Sequence, residues 1–153
     1  MFRHILIPTD GSKCSAAAIK QGVKLAKALH ARITGLHVIP PFHSFTYRTQ
    51  VLLSYHAALP EDSQEAYERT TRSEAAKILH VLSRAAEAAG VRCDTVQVHD
   101  DQPYKAILDT AAKKRVDLIL MASHGHGGLG AVLLGSETQK VLTHTTIPVL
   151  VVR

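Results

Sequence analysis

Only two cysteines, Cys14 and Cys93, occur in the 153 residues. They lie far apart, form no CxxC pair and cannot build a disulfide framework, so a reduced, cytoplasmic setting is expected. No apolar run approaches the ~20 residues of a membrane span, which excludes a spanning helix. Met1-Phe2-Arg3-His4 leads straight into a strand-like run, with no sign of a secretory leader. Neither HExxH nor a Cys/His quartet is present, so no residue set is assigned to a metal. Ser123 sits in M-A-S-H-G rather than a G-x-S-x-G elbow, and no catalytic base is specified. The net charge is +5, yet the basic residues are scattered. Their densest cluster, Lys113-Lys114-Arg115, reads as a helix end, where cations complement the dipole. No aromatic side chains interleave with it, so a nucleic-acid partner is not expected.

What is present is the composition of one soluble globular domain spanning 1–153, with 46% hydrophobic and 20% charged residues. Ile5-Leu6-Ile7-Pro8 reads as a buried strand ending at Thr9-Asp10-Gly11. Ser12 or Ser15 caps the next helix, whose apolar face runs Ile19, Val23, Ala26 and Leu29 or His30. Arg32 to Ile39 is the second strand, stopped by Pro40-Pro41. Phe42 to Pro60 has no clear period and reads as an irregular excursion over the sheet edge, with a lid or partner surface as the sharper alternative. Glu61 to Ala89 is the longest helix, ended by Gly90. Val91 to Val98 alternates as a strand, and Asp101 with Pro103 opens a third helix that buries Ile107, Leu108 and Ala111. Asp117 to Ala122 is a fourth strand, Ser136-x-x-Gln139 a capping box on a last helix, and Ile147 to Val152 a fifth strand. Strands alternating with helices predict an α/β protein, an open and mainly parallel sheet covered on both faces.

The most informative stretch is Asp117 to Thr138, where a buried strand delivers a glycine-dense loop to a helix N-terminus. Such a junction gathers backbone N–H groups and the positive end of a helix dipole, the ingredients of a phosphate cradle. Two common motifs fail here. Gly125-x-Gly127-x-x-Gly130 matches the dinucleotide fingerprint, but Leu150 and Val151 stand where its acidic residue belongs, roughly 20 positions on. Gly125-x4-Gly130 spaces like a P-loop, but Ala131-Val132 replace the required Lys-Ser/Thr.

A third pattern fits. Ala122-x2-Gly125-x9-Gly135-Ser136 is similar to the G-x2-G-x9-G-S/T signature of the universal stress protein family, with Ala122 in place of its first glycine. Ile5-Leu6-Ile7-Pro8-Thr9-Asp10-Gly11-Ser12, Leu36-His37-Val38 and Ile147 to Val152 also resemble that family's first, second and closing strands. The resemblance implies a three-layer, Rossmann-like sheet of the adenine nucleotide alpha hydrolase type, five strands in the order 3-2-1-4-5. It implies an adenine nucleotide, ATP or AMP, held by Pro8, Thr9, Asp10 and Val38 on one side. On the other side stand Met121, Ala122, His124, Gly125, Gly135, Ser136 and Glu137. Mg²⁺ entering with the nucleotide needs few protein ligands.

Several of these residues have plainer roles. Asp10 could cap the Ser12 turn, and Ser136 could be an ordinary N-cap. Glu137 suits a helix dipole but repels a phosphate, so it must point away or help hold a cation. His124-x-His126 is the best metal-like pair, though an imidazole beside a phosphate is the better use of His124. The functional reading is a regulatory or stress-tolerance module, with at most slow ATP hydrolysis. Ala122 keeps a second reading open, a family member that binds no nucleotide and acts through protein contacts. The same resemblance places Ile147 to Val152 at the sheet edge, where a β-branched, uncharged strand predicts a two-fold homodimer. No residue pattern names a downstream protein partner.

Overall fold

The structure is a computed structural model that describes residues 1–43, 64–126 and 134–153. The chain runs β1 (His4–Pro8), α1 (Lys13–Leu29), β2 (Arg32–Ile39), α2 (Gln64–Ala89), β3 (Cys93–His99), α3 (Pro103–Lys114), β4 (Leu118–Ala122), α4 (Ser136–His144) and β5 (Val149–Val152). The five strands are all parallel, in the order β3-β2-β1-β4-β5. The apolar excursion read from Phe42 to Pro60 lies, beyond His43, outside the described residues, as does the expected helix start at Glu61.

The short apolar runs of β1 and β4 follow from burial on both faces, which removes any need for polar alternation. Ile5 and Ile7 join α1 and α2 in one core with Leu118, Leu120 and Ala122. Leu6 points the other way and packs with Ile119, Met121, Ile107, Ala111 and Val141, the core beneath α3 and α4. Adjacent residues thus serve opposite cores, because strand side chains alternate faces.

Four local assignments change, and one open choice is settled. Ser12 is the N-cap of α1, its hydroxyl accepting from the Ser15 amide at 3.1 Å. Asp101, by contrast, caps nothing. The N-cap of α3 is Gln102, and it is Asp100 Oδ1 that accepts from the Gln102 amide at 2.8 Å. The capping box on α4 does not form, since the N-cap is Gly135 and the Gln139 side chain donates to the Leu134 carbonyl. Val91 lies outside the strand, its amide closing the C-terminal end of α2 on the Ala86 carbonyl, so β3 begins at Cys93. Ile147 donates to Thr145 Oγ1, and the β5 ladder starts only at the Pro148 carbonyl, which accepts from Ile119.

Candidate functional site

β1 and β4 are neighbours in the sheet, but their following segments leave toward opposite faces. This reversal opens a crevice beyond their carboxyl ends, the place where open α/β sheets bind ligands. Pro8, Thr9, Asp10, Val38, Met121, Ala122, His124, Gly125, Gly135, Ser136 and Glu137 all line one cavity of about 380 Å³ there. That volume lies toward the lower end of the range of roughly 300–1,000 Å³ usual for small-molecule sites.

Asp10 organises the β1 side. Its Oδ1 accepts from the Ser12 amide at 2.9 Å, which is the capping role. Its Oδ2 accepts from the His126 amide at 3.0 Å, across 116 residues of sequence. Burial pushes the Asp10 carboxyl up, but hydrogen bonds from Ser12 and the His126 amide overcome it and hold the group below its usual range. It is therefore a carboxylate, and each oxygen keeps a lone pair for a ligand hydroxyl or amine. His126 completes the clamp, its Nε2 lying 2.8 Å from the Asp10 carbonyl, which requires a proton on that nitrogen. The clamp also explains Gly125, since an ideal Cβ there would lie 2.3 Å from Asp10 Oδ2.

The β4 side is tied to α4 through backbone. The Gly135 amide donates to the Ser123 carbonyl at 2.7 Å, and Thr138 Oγ1 donates to the Ala122 carbonyl at 3.0 Å. A Cβ on Gly135 would stand 3.2 Å from the Ser123 carbonyl oxygen and 3.4 Å from His124 Cα. Close approach to a phosphate is what the motif implies for this glycine; the structure shows tight chain-on-chain packing at the same position.

The first turn of α4 carries no side-chain cap, and its first intrahelical bond is Gln139 to Gly135. The amides of Ser136 and Glu137 precede that bond, so they have no acceptor within the helix. The Ser136 hydroxyl is not engaged as a cap and is exposed at the cavity. Glu137 points away from its own helix N-terminus. Its Oε2 accepts from the Tyr104 amide at 2.8 Å, capping α3, and its Oε1 pairs with Lys140 at 2.9 Å.

The two candidate metal-like histidines do not converge. His124 Nδ1 meets Ser123 Oγ at 2.9 Å, while His126 is held by Asp10. Among the described residues His124 Nε2 is buried without a hydrogen-bond partner, which costs about 1–3 kcal/mol unless a ligand atom satisfies it. Among the described residues, no group of three or more His, Cys, Asp or Glu could hold a metal ion. His37 and His126 line the cavity without having been singled out for it from sequence. The signals were present: His37 lies between Leu36 and Val38 of the matched strand, and His126 follows the motif glycine directly.

An open, all-parallel sheet with a crevice at its switch point, walled by an aspartate clamp and an uncapped helix N-terminus, defines a doubly wound α/β protein with a candidate ligand site at that crevice. The model of the family described as the universal stress protein family matches residues 1–153, and the chain belongs to that family. It is 34% identical over 153 residues to universal stress protein YxiE of Bacillus subtilis, covering 100% of both chains. It is 32% identical over 154 residues to universal stress protein MJ0531 of Methanocaldococcus jannaschii, covering 100% of this chain and 83% of that one. The solved structure of MJ0577 from the same archaeon superposes with a TM-score of 0.76 at 28% identity, covering 99% of this chain and 96% of that one. Two more distant members share the fold: a universal stress protein in complex with cAMP (20% identity, TM-score 0.67) and one from Archaeoglobus fulgidus in complex with dAMP (12%, 0.61).

Proposed function

We propose that the crevice binds an adenine nucleotide and that its occupancy makes the protein a regulatory or stress-tolerance module of the cytoplasm. The observation that carries this reading is the convergence of Asp10, Gly125 and the uncapped first turn of α4 on one cavity. Adenosine would lie against Pro8, Asp10 and Val38, and phosphate on the amides of Gly125, Ser136 and Glu137 with His124 Nε2 beside it. The Gly135 amide drops out of this donor set because it is already bonded to Ser123. The cAMP and dAMP complexes of distant relatives support the ligand class. ATP or AMP, with Mg²⁺ accompanying the former, are the expected occupants.

Acid extraction of the purified protein should release an adenine nucleotide, or calorimetry should detect binding of AMP or ATP. The second reading, action through protein contacts alone, is favoured by Ala122 and by Asp10 already accepting two intrachain amides. Absence of nucleotide in both measurements would select it.

A homodimer through β5 belongs to the same proposal. Among the described residues β5 pairs only with β4, and Leu150 is 43% exposed on it. An unpaired apolar edge is a template for a second copy. Light scattering should give a dimer mass for the wild type and a monomer for Leu150→Lys; a monomeric wild type removes the assembly.

A further inference from the structure

Among its described lining residues the cavity is poor in cations, and this bears on which nucleotide it takes. No Lys or Arg is among its described lining residues, and none occurs in sequence between Gly125 and Gly135. Two carboxylates line it, Asp10 and Glu137, together with three imidazoles, His37, His124 and His126. An imidazole is not a permanent cation, and two of these already have intrachain tasks: His37 Nδ1 on the Thr9 carbonyl and His126 Nε2 on the Asp10 carbonyl. Lys140 is near in sequence, but its Nζ is paired with Glu137 and lies over the Tyr104 ring.

Helix N-termini could replace side-chain cations, and among the described residues three reach the cavity; that of α1, at Ser15, is closed by the Ser12 cap. Pro103 of α3 and Ser136 of α4 both line it. The α3 terminus is closed by the chain's own anion, because Glu137 Oε2 occupies the Tyr104 amide. Among the described residues the α4 terminus alone is left open, and one helix dipole stabilises about half a charge at that end.

Resting on the nucleotide reading above, we infer that this crevice is built for an adenine nucleotide bearing a single phosphoryl group and discriminates against an uncomplexed triphosphate. The open α4 terminus and His124 Nε2 serve one phosphoryl group. Further phosphates would meet no free cation among the described lining residues, since Lys140 is already paired with Glu137. Mg²⁺ lowers this penalty by neutralising the triphosphate before it enters.

Calorimetry on the full chain, with AMP and with ATP in EDTA at pH 8, reads the discrimination directly. AMP is expected to bind at least as tightly as Mg²⁺-free ATP, and added Mg²⁺ is expected to strengthen ATP alone. ATP binding more tightly than AMP in EDTA overturns the inference while leaving the nucleotide reading intact; binding of neither overturns both. His126→Arg places a permanent cation on the cavity wall and should raise the ATP-to-AMP affinity ratio about tenfold, the scale of one charged hydrogen bond. Glu137→Gln keeps an acceptor for the Tyr104 amide but removes the negative charge, and should shift the ratio the same way. A ratio unmoved in both folded variants overturns the charge argument.

Discussion

Asp117 and Asp10 tie β4 to β1 at opposite ends of the sheet, each with one carboxylate bridging two backbone amides. At the amino end Asp117 accepts from Arg3 and His4, both at 2.9 Å. Beside it His4 is 4% exposed, with Nε2 2.8 Å from Thr34 Oγ1. At the carboxyl end Asp10 accepts from Ser12 and His126 at nearly the same distances. The first junction adjoins the buried His4, while the second forms the wall of a cavity of about 380 Å³. The carboxylates do not make this difference. β1 and β4 pair through only Ile5↔Leu118 and Leu6↔Ile119, and beyond that short ladder the chain departs toward α1 on one face and α4 on the other. Local chemistry makes a clamp at both ends; topology turns one of them into part of a site.

The largest expected effect separates the two ends. Asp10→Ala should weaken adenine nucleotide binding about a hundredfold or more, since charged hydrogen bonds contribute about 1.5–3 kcal/mol each. Asp117→Ala should cost about 1–3 kcal/mol of stability in urea unfolding, with affinity essentially unchanged by calorimetry. Equal losses of affinity in the two variants would erase the distinction drawn here.

Gly125→Ala comes next. Its methyl would collide with Asp10 Oδ2, and overpacking of this kind costs about 1–3 kcal/mol. If the clash is with the carboxylate, the double variant Gly125→Ala/Asp10→Ala should be more stable than the sum of the single losses predicts. Strict additivity would place the strain elsewhere.

The amino end has a pH signature of its own. Burial pushes the His4 imidazole below its ordinary 6.5, Arg32 adding to the effect and Asp117 opposing it. The unfolded chain then takes up that proton first, so stability falls as pH drops below about 6.5. Asp10, held below its ordinary 3.8, keeps its contribution until much lower pH. Urea unfolding at pH 7.5 and 5.5 should therefore show a smaller loss in His4→Gln than in the wild type. An equal loss would assign the pH dependence to other groups.

The smallest effects concern the entry to α3. Asp101→Ala should change stability by less than about 0.5 kcal/mol, while Asp100→Ala should cost about 1 kcal/mol for the Gln102 amide it leaves unpaired. A larger loss at Asp101 would restore it as the cap.

Features that depend on near neighbours were legible in the residues. The apolar runs of β1 and β4, the Ser12 cap and the stop after α2 at Gly90 each follow from a few adjacent side chains, because helix ends and strand burial are short-range matters. The strand order and the gathering of Asp10 with Gly125 and Ser136 were legible only through resemblance to a family. Short-range signals also misled where two neighbours could do one task, as with Asp100 and Asp101, or where a motif met a competing geometry, as with Ser136 and Gln139.

What the linear chain alone determined is the class of protein: alternating buried strands and amphipathic helices, with one glycine-rich strand-to-helix junction. What only the tertiary structure decided is the use of particular groups across long separations. Glu137 turns to cap a helix 33 residues earlier, His126 closes on an aspartate 116 residues before it, and Gly135 sits where two backbones meet closely. Hydrogen bonds and close approaches act over about 3 Å, and which atoms come within that distance is set by how the strands are ordered, not by their spacing along the chain.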